Sequence, residues 1–334
     1  MKQNRSVPAE AAAYPALLTV SVSPHIRGKD TTRRLMLDVL IAMAPALVFG
    51  MICFGWRAAL LTVLSVSACV FFEWGYERLL HRRNTVGDLS AAVTGVLLAM
   101  NVPATLPPPM IVLAAFFAIV VVKQLFGGIG RNLVNPALAA RVFLFISFPA
   151  HMGGEAFGAN NLLPDATAGV TPLVSLSSGA LPDGMTLLDL FLGRSGGCVG
   201  EISTALLLLG GVYLLVRRVI TWHIPAAYLG TVALLTLILP KTGWFDFYYM
   251  ACQLCAGGLV LGAFFMATDY ATSPVTPRGR LLYGAVCGVL TVFIRYFCAN
   301  PEGVSFAILI SNLLVYYFDR YLRPRRFGEG RAAK

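Results

Sequence analysis

The chain has 334 residues, of which 57% are hydrophobic and only 13% are charged, and its mean hydropathy is +0.73. Soluble domains carry about 25% charged residues, so this composition excludes an ordinary soluble protein and predicts an all-α integral membrane protein. The formal charge of +10 does not indicate a nucleic-acid-binding protein, because the cytoplasmic loops of membrane proteins are themselves enriched in Lys and Arg.

The first element along the chain is a polar, charged segment, residues 1–34, which lacks the apolar core and cleavage site of a signal peptide. We therefore expect a cytoplasmic N-terminal segment, followed by a first membrane helix that directs insertion. Ten apolar stretches follow, most of them long enough to cross a bilayer. They predict helices near 35–54, 58–76, 88–102, 109–126, 136–150, 200–216, 222–239, 247–265, 279–298 and 304–320.

The distribution of positive charge predicts the orientation of these helices. If the N-terminus is inside, alternate loops should be basic. Of the 26 Lys and Arg residues, 21 then fall inside and four outside, while Arg141 lies within a helix. This pattern places both termini in the cytoplasm, the loop 151–199 outside and the basic tail 321–334 inside.

Two pairs of similar segments indicate an internal repeat. The first pair is "LLAMNVPATLPPP" (97–109) and "FFMATDYATSPVTP" (264–277), and the second comprises 135–145 and 300–310. Two five-helix halves, 35–150 and 200–320, would run in opposite directions through the membrane as inverted repeats. The Pro-rich segments interrupt apolar runs, which predicts a cavity between the halves; the alternative is that each proline simply ends a helix.

Ionisable residues within apolar sequence are candidates for function, because their burial in a membrane is costly. Glu201, Arg141 and Asp269 are the ion-pathway candidates, and Glu73 is a further one. Snorkelling to the interface is the alternative for Asp269 and Glu73.

A glycine-rich stretch, "GRSGGCVGE" (193–201), is predicted to open the sixth helix. Free N–H groups at a helix start favour an anion, so Gly196 and Gly197 are candidate phosphate contacts. A flexible cap is the alternative. The glycines of "FGGIGRNLVNPA" (126–137) predict a cytoplasmic turn capped by Asn132 rather than a nucleotide-binding loop, because no strand precedes them.

Motifs for hydrolysis and for metal binding are missing from the sequence. Most of the seven cysteines lie in apolar runs, and the single C-x-x-C, Cys252 to Cys255, has no second pair; packing is the expected role, and no metal site is predicted. The sequence contains no G-x-S-x-G, Ser/His/Asp set or H-E-x-x-H motif, so no catalytic residue is assigned.

Four stretches resemble the D subunit of the Rnf ion-translocating electron-transport complex, and they resemble the B subunit of the sodium-pumping NADH:quinone reductase more distantly. They are "SVSPHIRGKDTTRRLMLDVLIAMAPAL" (21–47), "KQLFGGIGRNLVNPALAARVFLFISFP" (123–149), "GGCVGEISTALLLLGGVYLL" (196–215) and residues 264–312. The resemblance implies a subunit of a complex in the bacterial cytoplasmic membrane that moves electrons between ferredoxin and NAD while moving Na⁺ or H⁺. The other Rnf subunits and membrane lipid are the implied partners, and the isolated chain is expected to be inactive.

The same resemblance implies a covalent flavin. Members of that family carry FMN joined by a phosphoester to a threonine in a motif similar to D-G-x-[ST]-G-A-T, and a separate flavin transferase attaches it. The stretch "DATAGVT" matches this motif at Asp165, Gly169 and Thr171 and departs from it at 166, 168 and 170. The implied attachment site is therefore Thr171, and the nearest rival is Thr167. The sequence leaves open a second, non-covalent flavin in the cavity between the repeats.

Two other classes of function fit the bottom-up pattern without the resemblance. Inverted repeats with broken helices would also suit a solute transporter or channel without a redox role. A scaffold that only holds partner subunits together is the third possibility.

Overall fold

The computed structural model describes residues 31–82, 84–153, 157, 172–177, 179, 186–194, 196–241, 245–298 and 301–323. Two compact units are delimited, Met1–Thr31 and Thr32–Lys334, and every helix described below lies in the second. All regular elements among the described residues are helical. The all-α prediction is confirmed for this part of the chain.

The helices follow the predicted apolar stretches closely. In chain order they are α1 (Thr32–Phe54), α2 (Trp56–Leu79), α3 (Ser90–Met100), α4 (Pro108–Phe116), α5 (Pro136–Ser147), α6 (Pro149–Met152), α7 (Pro172–Ser177), α8 (Leu187–Leu192), α9 (Thr204–Val216), α10 (His223–Ile238), α11 (Phe247–Cys255), α12 (Leu259–Leu261), α13 (Pro277–Phe297) and α14 (Val304–Tyr321). Two of them continue as π-helical turns, α4 over Phe117–Gln124 and α12 over Gly262–Met266.

Several of these helices have the length and composition of membrane spans. Among the described residues α1, α2 and α13 are long and apolar enough, and α11 with Leu259–Met266 makes a fourth if the pair, bent by 65°, is one span. Large apolar side chains also point outward, with Trp56 70% exposed and Phe297 75% exposed. Such surfaces are unfavourable in water and favourable in lipid, so the fold is that of a membrane protein.

The start of α5 shows how the sequence sets a helix boundary. The Asn135 side-chain oxygen accepts hydrogen bonds from the backbone N–H groups of Ala137 (3.0 Å) and Leu138 (3.4 Å), and Pro136 occupies the first helical position. Proline is favoured there because its missing N–H is not needed. The predicted start at residue 136 is confirmed, but the capping residue is Asn135 and not Asn132.

The sixth predicted helix begins four residues later than expected. The N-cap of α9 is Ser203, and the helix starts at Thr204. Gly196 and Gly197 therefore lie in the loop before α9. The prediction that these glycines open the helix is wrong.

The predicted helix 247–265 is interrupted. Its first part, α11, ends at Cys255, and Gly257 has a φ of +70°, in the left-handed region that favours glycine. The sequence signal was the glycine pair at 257 and 258.

Irregular backbone buried among apolar helices needs hydrogen-bond partners, and the segment 199–204 supplies them to two breaks. At the end of α3, the N–H of Gly200 donates to the carbonyl of Met100 over 2.9 Å. At the break after α11, the Thr204 hydroxyl donates to the carbonyl of Cys255 over 3.1 Å. The segment before α9 therefore connects the two breaks.

The two halves of the chain pack on each other through α1 with α9 and α5 with α14. A Cβ on Gly210 would lie 2.2 Å from the carbonyl oxygen of Ala42, so α1 and α9 approach as closely as only a glycine allows. The Asn101 amide nitrogen lies 3.7 Å from the Met266 sulfur, and the Asn135 amide donates to the Met266 carbonyl over 3.3 Å. The interrupted segments of the two halves thus meet at Met266.

Candidate ion and cofactor sites

A buried arginine joins the segments that surround the first break. Arg141 Nη1 donates to Asn101 Oδ1 (3.0 Å) and to Glu201 Oε1 (3.1 Å). Its Nη2 lies 2.6 Å from Glu302 Oε2 and 3.8 Å from the Cys198 sulfur. We call these five residues the Arg141 cluster. The side chains of Arg141 and Glu201 are 6% exposed and that of Glu302 is 15% exposed.

The Arg141 cluster has the donor types of a metal site but already contains a cation. The ligand atoms of Cys198, Glu201 and Glu302 lie within 4.8 Å of one another. The Arg141 guanidinium, however, contacts all three. An added metal ion would have to displace it, so the cluster is best described as an ion-pair network with its own cation.

A small cavity of about 20 Å³ adjoins this cluster. Glu201 and Glu302 form part of its wall. The other lining residues are Pro172, Leu173, Leu190, Gly196, Gly197, Cys255, Ala256 and Gly257. At Gly196 and Gly197 no atom lies within 4 Å of the position a Cβ would take. We call this space the Gly197 cavity.

Helix α7 is fixed beside the Gly197 cavity. Leu173 and Leu176 are 4% and 1% exposed, and the Tyr249 hydroxyl donates to the Leu176 carbonyl over 3.3 Å. Lys241 Nζ donates to the Ser177 carbonyl over 2.6 Å. The predicted flavin residues Asp165, Gly169 and Thr171 lie outside the described residues, but α7 begins one residue after Thr171.

Helix α8 forms another wall of the cavity through Leu190, and its start is held by a capping box. Asp189 Oδ2 accepts hydrogen bonds from the Thr186 hydroxyl (2.6 Å) and from the Thr186 N–H (3.0 Å). These bonds favour the charged form, so they hold the pKa of Asp189 below its usual value. The exposed Arg194 lies 3.7 Å from this carboxylate.

A larger cavity of about 360 Å³ lies among α1, α3 and the two π-helical turns. Its lining includes both apolar and polar side chains. They include Met36, Val39, Leu97, Phe264 and Phe265 on the apolar side, and Thr94, Lys123, Asn132, Asn135 and Asp269 on the polar side. We call it the Asp269 cavity.

Lys123 enters the wall of the Asp269 cavity from the π-helical end of α4. Its ammonium group lies 2.6 Å from Glu73 Oε1 and 2.6 Å from the Ser90 hydroxyl, and Gln124 donates to the same Glu73 oxygen over 2.9 Å. Glu73 is fully buried, so it is paired inside the protein and does not snorkel to an interface. Asn132 Oδ1 is buried near this pair without a hydrogen-bond partner.

The comparisons with known proteins cover nearly the whole chain. Residues 19–328 match the model of the NQR2, RnfD, RnfE family. The chain belongs to this family.

Members of the family from several bacteria are similar over nearly their full length. The D subunit of the Na(+)-translocating ferredoxin:NAD(+) oxidoreductase complex of Acetobacterium woodii is 44% identical, over 93% of this chain and 95% of the relative. The D subunit of the proton-translocating ferredoxin:NAD(+) oxidoreductase complex of Clostridium ljungdahlii is 36% identical, over 97% and 100%. The D subunit of the ion-translocating oxidoreductase complex of Stutzerimonas stutzeri is 38% identical, over 92% and 95%. The resemblance to Rnf D subunits is therefore confirmed.

In this member of the NQR2, RnfD, RnfE family, the structure brings together some of the predicted site residues and separates others. Arg141 and Glu201 form an ion pair, whereas Asp269 lies in the other cavity. Sequence reasoning missed Glu302 and Asn101 as partners of Arg141, although both belong to the repeat segments that were noted. It also missed Lys123, whose position depends on the π-helical turn.

Replacement of Arg141 tests the role of the buried network. Arg141→Met leaves two buried carboxylates without their cation, and we expect it to destabilise the fold by about 3–5 kcal/mol. The matched control is Arg194→Met, whose side chain is 61% exposed and whose loss should cost no more than about 1 kcal/mol. Thermal unfolding of the purified complex measures both variants. Equal unfolding midpoints for the two variants would contradict a stabilising role for the network.

Proposed function

We propose that the chain is the D subunit of an ion-translocating ferredoxin:NAD oxidoreductase complex of the Rnf type and relays electrons through a flavin held at Thr171. The observation that carries this proposal is the near full-length match to relatives with that name, at 44% identity in one case. Activity belongs to the assembled complex, so other Rnf subunits are the partners of this chain. The transporter or channel alternative has no comparable support.

The flavin is FMN, joined through its phosphate to the Thr171 hydroxyl. A threonine hydroxyl is a poor nucleophile at neutral pH, so a separate flavin transferase must activate it. The oxygen–phosphorus bond forms as an activated flavin phosphate loses its leaving group, and the hydroxyl proton passes to a base of that enzyme. Gly169 permits close approach of the backbone, and Asp165 belongs to the same attachment motif.

The described surroundings fit a flavin phosphate next to α7. Pro172, the residue after Thr171, lines the Gly197 cavity, and the open space at Gly196 and Gly197 leaves their backbone accessible to a phosphate. The contacts of Leu176 and Ser177 fix α7, which would limit the positions that the attached flavin can take. A flavin supplies one- and two-electron redox chemistry that no side chain offers.

A second, non-covalent flavin is assigned to the Asp269 cavity. Its volume of about 360 Å³ falls within the roughly 300–1,000 Å³ of small-molecule sites. Phe264 and Phe265 offer apolar walls for a planar ring, and the unpartnered Asn132 oxygen would accept a hydrogen bond from a ring N–H.

The ion route includes Asp269 at one cavity and Glu201 with Arg141 at the other. Carboxylates at these depths are costly unless they are paired or hydrated, which supports a role in ion movement. The relatives do not fix the ion, since one is named for Na⁺ and another for protons.

Thr171→Ala tests the flavin site directly. We expect this variant of the assembled complex to lose the flavin fluorescence that persists through denaturing electrophoresis, because the attachment oxygen is missing. The matched control Thr167→Ala should keep the fluorescent band, and peptide mass spectrometry should place FMN on Thr171. A Thr171→Ala protein that is still flavinylated would refute the assignment.

Asp269→Asn tests the ion route. Removal of the carboxylate charge should lower ion uptake by inverted membrane vesicles by roughly ten-fold or more, while the complex still assembles. Ferredoxin-driven uptake of Na⁺ or H⁺ is the measurement, and Asp189→Asn on α8 serves as the control carboxylate. Wild-type uptake in Asp269→Asn would remove this residue from the route.

The orientation in the bacterial cytoplasmic membrane is the remaining part of the proposal: ten spans in two inverted repeats, with both termini in the cytoplasm and 151–199 outside. Asn160→Cys and Arg325→Cys, introduced singly into a cysteine-free chain, should react differently with an impermeant thiol reagent applied to intact cells. We expect labelling at 160 only, because the positive-inside rule places 325 in the cytoplasm. The opposite labelling pattern would invert the topology.

A further inference from the structure

Arg295 is a second buried arginine, and it differs from Arg141 in its partners. It lies near the end of α13 and is 2% exposed. Its Nη1 donates to the carbonyl of Gln253 (2.6 Å) and to Gln253 Oε1 (3.0 Å), and its Nη2 donates to the carbonyl of Ala256 (3.0 Å). All three acceptors are uncharged.

The Arg295 guanidinium has spare donors and no paired carboxylate. A guanidinium has five N–H groups, and three of them are used in the bonds just given. Nε is buried without any hydrogen-bond partner. No carboxylate among the described residues lies within ion-pair distance of Arg295. A buried cation with unused donors is costly until an anion reaches it.

The unused side of Arg295 stands beside the Gly197 cavity. A Cβ on Gly257 would lie 3.6 Å from Arg295 Nη2 and 3.2 Å from a methyl carbon of Leu173. Both Gly257 and Leu173 line that cavity, as does Pro172. The guanidinium therefore lies next to the space into which the residue before Pro172 leads.

The described charges around α7 and this cavity also leave one positive charge in excess. Arg141, Arg295 and Lys241 are the cations, and Glu201 and Glu302 are the anions. A phosphate that is esterified on both sides carries a single negative charge and would balance the set. Arginine suits such a group because its planar fork matches two phosphate oxygens.

We propose that Arg295 is the cation that binds the phosphoester of the flavin in the Gly197 cavity and so holds the flavin in one position. This inference rests on the proposed attachment at Thr171. Arg295 is a positioning residue in this scheme, and it takes no part in the attachment reaction.

A purely structural role for Arg295 is the competing explanation. Its bonds to the Gln253 and Ala256 carbonyls cap the C-terminal end of α11, where a positive charge is favourable. Gln253→Glu separates the two roles. This variant would place a carboxylate 3.0 Å from Arg295 Nη1, which strengthens the cap while neutralising the cation.

The experiment uses the complete complex and measures two properties of the flavin. The first is covalent flavin content after denaturing electrophoresis, and the second is the decay of flavin fluorescence anisotropy in the native complex. The signal of a Thr171→Ala complex is subtracted, so that only the covalent flavin contributes. The variants are Arg295→Gln, Arg295→Lys and Gln253→Glu, and Arg194→Gln is the control.

We expect Arg295→Gln and Gln253→Glu to keep their covalent flavin and to lose the slow component of the anisotropy decay, because the flavin then rotates about its attachment. Arg295→Lys should retain part of that component, and Arg194→Gln all of it. If Arg295→Gln does not assemble, Gln253→Glu decides the question. An unchanged slow component in Gln253→Glu would overturn the role of Arg295, whereas a wild-type complex without covalent flavin would refute the attachment itself.

Discussion

The guanidinium of Arg141, held between Glu201 and Glu302, determines how the interrupted segments of this protein are arranged. Each partner comes from a different part of the chain: the end of α3 through Asn101, the loop before α9 and the loop before α14. Removal of one charge from a buried pair leaves the other uncompensated, at a cost of about 3–5 kcal/mol. The three loops are therefore fixed relative to α5, although none of them has regular secondary structure.

This constraint explains why two distinct polar spaces exist in a mostly apolar protein. The segment 199–204 satisfies the carbonyls of both breaks, so irregular backbone is tolerated there. The Gly197 cavity lies on one side of this arrangement, next to α7, and the Asp269 cavity lies among the π-helical turns. A protein that relays electrons and takes part in ion movement needs such fixed polar positions inside an apolar body, and the family relationship supplies the chemistry for which they would serve.

Local patterns in the sequence predicted much of the fold. Apolar runs located the helices, and the Asn135–Pro136 pair marked the start of α5, because these signals act within a few residues. The break at 256–258 and the π-helical turn that positions Lys123 were missed, since each depends on contacts with distant segments. The same limit applies to the sites: Arg141 and Glu201 were identified as costly charges, but their association with Glu302, 161 positions from Arg141, is a property of the folded chain. The flavin site was predicted only from the family resemblance.

The central claim is that Arg141 and Glu302 act together as a buried pair, and a double-mutant cycle tests it most directly. The apparent unfolding midpoints of the assembled complex would be compared for Arg141→Met, Glu302→Gln and the double variant. We expect the double variant to be less destabilised than the sum of the single variants, by roughly 0.5–3 kcal/mol of coupling. Additive effects of the two substitutions would contradict the claim.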